Sequence, residues 1–268
     1  MHPAVELSRR TFLVHAGRGT VAFAVLGVVG CGPSVTASAT PPPAGEPLPS
    51  PSTPAASEPV GSGSAPPSSA GGSALTWHRA DLGFVSAYIL ARAGEAAIVD
   101  TGVAGSEGAI GDALTAAGLS WDAVGHVILT HRHGDHAGSA AAILNAAPDS
   151  VGYAGVADIA GISAARPITA VDDGETVFGL RIVATPGHTA GHIAVLDEAA
   201  GVLVAGDALG TSGGTLAGSN PQFTEDEAQA RASVAKMAAL PFETLLVGHG
   251  EPILTGASAQ VAALAAGG

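Results

Sequence analysis

The chain has 268 residues, 47% of them hydrophobic and only 12% charged, with a formal net charge of −13. Such a surface repels nucleic-acid phosphates, so no nucleic acid is expected as a partner. Cys31 is the single cysteine, which excludes an intramolecular disulfide and, downstream, a cysteine nucleophile or cysteine zinc site.

Residues 1–30 read as an address. Ser8-Arg9-Arg10-Thr11-Phe12-Leu13 has the form of a twin-arginine export motif. The apolar run from about Thr20 to Gly30 is too short for a spanning helix, which needs ~20 residues, but suits a signal-peptide core. Val28-Val29-Gly30-Cys31 has the form of a lipobox, so Cys31 is the expected lipidation site and the protein is expected outside the cytoplasm, anchored to the membrane. Residues 31–74 follow as a linker rich in Pro, Ser, Ala and Gly; eleven of the eighteen prolines fall between Pro33 and Pro67. Such a composition buries too little apolar area to offset the entropy of ordering. The remaining 75–268 suffice for one domain with a good core.

In chain order, that domain alternates short apolar runs with glycine-rich turns. Phe84–Leu90 and Ala96–Val99 are predicted strands, Ser106–Ala117 a helix, His126–Thr130 a strand and Ala137–Ala146 a helix. Thr176–Ala184 alternates as one strand, and Ile193–Leu196 and Val202–Ala205 follow as two more. Thr224 and Glu227 stand in capping-box spacing, predicting a helix from Thr224 to about Leu240. Leu245–Val247 is a strand and Ser258–Ala265 the last helix. The alternation indicates an α/β layered protein.

Between the predicted strand and helix around residues 130–137 lies His131-Arg132-His133-Gly134-Asp135-His136, with Gly134 read as permitting a tight backbone. Imidazole and carboxylate at this density suit zinc, manganese or iron. His188, Asp207 and His249 each follow a further predicted strand and adjoin glycine, which lets backbone approach a crowded site. His78 and His126 fit no pattern and are expected to be ordinary surface or core residues. Trp77, Trp121, Tyr88, Phe223 and Arg132 are each equally compatible with a pocket or a packing role.

The series His131-x-His133-x-Asp135-His136, His188, Asp207 and His249, with Asp100-Thr101-Gly102 before it, resembles the metallo-β-lactamase superfamily over essentially all of the chain after the linker. The resemblance implies a four-layer αββα sandwich holding two divalent metal ions, zinc foremost with manganese or iron as alternatives. By the same resemblance, His131, His133 and His188 would hold one ion, and Asp135, His136 and His249 the other. Asp207 would bridge them, Asp100 would orient a histidine, and His192 would serve as a structural hydrogen-bonding residue. Asp135 would position the nucleophile and take its proton.

The implied activity is hydrolysis of a small-molecule substrate of ester, thioester, lactone or amide type. An aspartate at 207 is more similar to glyoxalase II and lactonases than to zinc β-lactamases, which carry cysteine or serine there. Lactonases of quorum-sensing signals place a tyrosine where this chain has Gly210. A mononuclear-iron oxidoreductase similar to persulfide dioxygenases, and a zinc β-lactamase, are the alternative readings.

Overall fold

The protein is described here by a computed structural model over residues 74–267. The export motif, Cys31 and nearly all of the linker lie outside the described residues.

The first sheet comprises β1 (Thr76–Asp81), β2 (Ser86–Arg92), β3 (Glu95–Val99), β4 (Val124–Leu129), β5 (Val151–Gly155) and β6 (Ile168–Val171), in that spatial order. β1 to β3 pair antiparallel, and β3 to β6 pair parallel. The second sheet comprises β7 (Thr176–Val177), β8 (Leu180–Ala184), β9 (Ile193–Asp197), β10 (Val202–Val204) and β13 (Thr244–Leu246), ordered β13-β10-β9-β8-β7. A separate ribbon joins β11 (Leu209–Ser212) to β12 (Thr215–Gly218). The helices are α1 (Glu107–Ala116), α2 (Ala140–Ala146), α3 (Glu227–Ala238) and α4 (Ala257–Gly267). Among the described residues no helix is long and apolar enough to cross a membrane.

Three apolar cores make this a four-layer αββα sandwich. Ile89, Ile98, Val127 and Leu129 point from the first sheet to Ile110 and Leu114 of α1 and Ile143 and Leu144 of α2. The alternate residues Tyr88, Leu90, Val99 and Ile128 meet Ile182, Ile193, Val195 and Val204 of the second sheet. On the far side, Val183, Leu196, Leu203 and Leu245 pack against Val234 and Met237 of α3 and Val261 of α4. Strands covered on both faces are apolar at most positions, which is why they read as near-continuous hydrophobic runs. Each such side chain, fully buried, stabilises the fold by about 1.5–3 kcal/mol.

The direction of the strands places the site. β3 and β4 run parallel, and β8, β10 and β13 share one direction in the other sheet. Asp100, His131, His188, Asp207 and His249 all follow carboxyl ends of these strands, so they gather at one edge of the sandwich. The Ile193 amide donates to the Thr130 carbonyl at 2.8 Å and the Ser86 amide to the Gly248 carbonyl at 2.9 Å, joining the sheets there.

Two predicted elements need correction. Thr176–Ala184 is a tight hairpin, with Phe178 (φ 55°) and Gly179 (φ 72°) turning the chain between β7 and β8. Consecutive left-handed residues suit a two-residue hairpin, and Phe at the first position hid the turn. Helix α3 begins three residues later than predicted: Asp226, not Thr224, is its N-cap and accepts from the amides of Ala228 and Gln229. Strands β1, β5 and β6 and the β11–β12 ribbon were not legible, because they are short, rich in Gly, Ala or polar residues, and exist only through pairing with distant segments.

Candidate metal centre

After β4 the chain makes a helix-like turn in which the amides of His136 and Ala137 both donate to the His133 carbonyl, at 3.0 and 2.8 Å. This turns His131, His133 and His136 inward. The backbone at Gly134 is not left-handed, and a Cβ there would meet open space, so the turn does not depend on glycine as the sequence suggested. Gly248 is different: a Cβ would lie 2.5 Å from Asp207 Oδ1 and 2.6 Å from His136 Cε1. Only glycine lets the β13 loop come this close.

The potential donors form three overlapping groups: His131, His133 and His188; His131, His136 and Asp207; and Asp135, His136 and His249. His133 Nδ1 lies 3.1 Å from His131 Nε2 and 2.9 Å from His188 Nε2. His136 Nε2 lies 3.3 Å from His249 Nε2. Asp207 lies among them, with Oδ1 3.1 Å from His136 Nε2 and Oδ2 3.4 and 3.3 Å from Nε2 of His188 and His249. Asp135 Oδ2 approaches His249 Nε2 at 3.3 Å.

The outward nitrogens are engaged elsewhere. His136 Nδ1 donates to Asp100 Oδ2 at 2.8 Å, and His249 Nδ1 to the Phe84 carbonyl at 2.7 Å. His131 Nδ1 pairs with Thr130 Oγ1 at 3.0 Å. Asp100 also accepts from the Thr130 amide at 2.8 Å, from a left-handed backbone (φ 63°) that an aspartate tolerates better than most residues. Fixing the outer nitrogen fixes the ring's orientation, turning the inner nitrogen towards the cluster.

His192 is satisfied differently. Its Nδ1 pairs with Thr185 Oγ1 at 2.8 Å, and its Nε2 accepts from the Asp207 amide at 3.1 Å. Both nitrogens are therefore occupied, and burial pushes the ring down to about 3, so it stays neutral.

Electrostatics within the cluster are opposed. Burial lowers His131 far below the ordinary histidine value and His188 to about 4. Burial disfavours charge on His136 too, but Asp100 and Asp207 outweigh it and raise this ring well above its usual value. Hydrogen bonding to Asp135, then to Asp207, raises His249 to about 10. The same bond to His249 lowers Asp135, and although burial works against charge on Asp207, His136 and His249 hold it well below the carboxylate range. Both carboxylates are thus ionised at neutral pH.

The donors fit divalent cations. Asp207 Oδ1 is buried without a hydrogen-bond partner despite its proximity to His136, and lone-pair nitrogens converge at about 3 Å. A divalent cation satisfies an orphaned carboxylate oxygen and several inward imidazoles together.

One carboxylate escaped sequence reading. Asp158, fully buried after β5, accepts from the Arg132 amide (2.9 Å) and guanidinium (2.8 Å), from Thr189 Oγ1 (2.6 Å) and from the Gly191 amide (2.9 Å). It ties the 131–136 loop to the 188–192 loop. Arg132 therefore points away from the cleft, towards Asp158 and Glu225. Of the other residues left open, Phe223 lines the cleft, while Trp121 packs on the α1 side. Trp77 and Tyr88 lie in the core between the sheets. His126 is half-buried between Tyr153 and Phe178; His78, on β1, is also half-buried.

The cluster opens into a cleft of about 1060 Å³, reached by His133, Asp135, Asp207 and His249 and walled by the β11–β12 ribbon, Phe84 and the 219–223 segment.

Residues 80–249 match the metallo-beta-lactamase superfamily. A hydroxyacylglutathione hydrolase from Cupriavidus taiwanensis is 38% identical over 161 residues, 56% of this chain and 56% of that protein. The uncharacterized protein YobT of Bacillus subtilis is 28% identical over 197 residues, 62% of this chain and 83% of its own. Among solved structures, the metallo-beta-lactamase family protein TTHA1429 from Thermus thermophilus superposes with a TM-score of 0.57 at 26% identity, covering 68% of this chain and 74% of that one. The chain spans little more than half the length of the hydrolase relative it matches. With the sandwich, the donor cluster and the family match in agreement, the chain belongs to the metallo-beta-lactamase superfamily.

Proposed function

We propose that this protein is a binuclear metal-dependent hydrolase of ester, thioester, lactone or amide-type substrates. The observation that carries the reading is Asp207, whose buried carboxylate touches ring nitrogens of both histidine groups while one oxygen lacks any hydrogen-bond partner. In this reading His131, His133 and His188 would hold one ion and Asp135, His136 and His249 the second, with Asp207 placed to serve both groups. Bound there, divalent ions supply Lewis acidity and a source of hydroxide at neutral pH.

The chain's own residues do the rest. Asp100 holds His136 in one tautomer, and the Phe84 carbonyl does the same for His249. Asp135 lines the cleft as an ionised carboxylate and is the group that orients a nucleophile and accepts its proton. Zinc is the expected metal, since the donor set is imidazole and carboxylate; manganese and iron suit the same donors.

Elemental analysis of protein purified without chelators tests the reading. About two zinc or manganese ions per chain, with turnover lost on chelation and restored by metal, is the expected result. A single iron per chain, with oxygen consumption in place of hydrolysis, would replace it with the oxidoreductase alternative.

We also propose that the domain is exported and lipid-anchored through Cys31, supported by the motifs at Arg9-Arg10 and Val28–Cys31.

A further inference from the structure

The described residues contain seven basic side chains, and every one is engaged away from the cleft. Arg79 pairs with Glu251, Arg92 with Asp197, Arg132 with Asp158 and Glu225, and Arg181 with Glu198. Arg231 meets Glu227 one helical turn away and Lys236 meets Asp173. Arg166 donates to the carbonyls of Leu144, Ala147 and Ser150. None lines the cleft.

What lines it beyond the donor cluster is uncharged. Leu209, Ala217 and Pro221 form apolar wall, and two phenylalanines from separate segments face it while 63% (Phe84) and 62% (Phe223) exposed. Large aromatic side chains left this open beside a reactive centre offer area to a ligand, since neither is needed to close a core. Phe84 is further held in place by stacking on His249, with ring centroids 6.1 Å apart.

We infer that the cleft accepts neutral acyl compounds with an apolar substituent, packed against Phe84 and Phe223, and discriminates against carboxylate-bearing thioesters such as those of glutathione. The inference rests on the proposed hydrolase reading and narrows its substrate class. A peptide thioester brings carboxylates that must lose water against a wall that, outside the donor cluster, supplies no cation, on a protein whose net charge is −13. A neutral acyl chain loses nothing comparable and gains burial of each methylene.

Kinetics on matched thioesters test this. The same acyl group is presented on N-acetylcysteamine, which is neutral, and on glutathione, using metal-loaded enzyme. The neutral thioester should be favoured by about tenfold or more in kcat/KM, with the gap narrowing at high salt. Lengthening the acyl chain from acetyl to hexanoyl should raise kcat/KM by up to about fourfold per methylene. Phe223→Ala should flatten that dependence, and Phe84→Leu should do so less. Non-hydrolysable hexyl thioethers of the two thiols, titrated calorimetrically into metal-loaded protein, read the same preference without turnover.

Equal or faster turnover of the glutathione thioester overturns the charge selectivity. An unchanged chain-length dependence in Phe223→Ala overturns the aromatic contact. Failure of the hydrolase reading is distinguishable: no thioester or ester would turn over at all, while the thioether titrations would still report whether the cleft prefers the neutral apolar ligand.

Discussion

Arg132 stands between two of the inward histidines yet turns its guanidinium the other way, onto Asp158, whose carboxylate also receives the Arg132 amide. One fully buried side chain thereby holds both the 131–136 loop and, through Thr189 and Gly191, the 188–192 loop. Asp158→Ala strands these donors and a partly exposed guanidinium together. We expect it to lower unfolding free energy by roughly 2–4 kcal/mol and to weaken metal retention. Glu225→Ala, which breaks the more exposed end of the same network, should cost under about 1 kcal/mol. Urea unfolding of both variants, with metal content measured alongside, checks the contrast; equal effects would mean that Asp158 is not the pin.

Asp100→Asn removes the charge that orients His136 while keeping its shape. Metal affinity at the group containing Asp135, His136 and His249 should fall about 10–100-fold, with the fold intact by circular dichroism. Competition against a chromophoric chelator measures it. Unaltered affinity would show that His136 needs no such partner.

Glycine at 248 and glycine at 134 make a paired test. Gly248→Ala pushes a methyl against Asp207 and His136 and should abolish binding of one metal ion. Gly134→Ala meets open space at an ordinary backbone angle and should change stability by less than about 0.5 kcal/mol. If elemental analysis finds the first variant fully loaded, the close approach at β13 is not required.

Without metal, His249 is raised to about 10 and is therefore protonated at pH 7.5. A cation can bind its nitrogen only by expelling that proton, so zinc addition in weakly buffered solution should acidify it, and affinity should fall as pH falls. Above pH 10 the ring is already neutral and proton release should diminish. The sign for stability is the reverse. A raised folded-state pKa stabilises the metal-free protein fully below about pH 6.5, and this contribution fades as pH rises through about 10. Indicator-dye titrations at pH 7.5 and 10.5 separate the cases, and equal release at both would contradict the charged state of His249.

For the proposed export, Cys31→Ala should move the protein from the membrane fraction to the soluble exported fraction, and Arg9→Lys with Arg10→Lys should retain it inside the cell. Continued membrane attachment of the first variant, or unimpaired secretion of the second, would sink the corresponding motif.

The sequence by itself determined the α/β alternation and the chemistry available to it, and its ligand motifs carried the resemblance that implies the sandwich. Strands buried on both faces are nearly apolar throughout, so β2, β3, β4, β9, β10 and β13 were visible as hydrophobic runs. The inward histidines and carboxylates were visible because such residues are rarely clustered at strand ends without use. What the sequence could not carry was anything defined by partners far along the chain. Asp158 looks like any lone aspartate until folding brings residues 132, 189 and 191 to it. Arg132 between two histidines has no direction until Asp158 supplies one. The N-cap of α3 passed from Thr224 to Asp226 because the chain before it is committed to the cleft, with Thr224 Oγ1 donating to the Asn220 carbonyl and lying 3.5 Å from His188 Nδ1. The uncharged wall of the cleft was equally hidden. It depends on where seven cations find their carboxylates and carbonyls, and those pairings are set by tertiary contacts that no local pattern encodes.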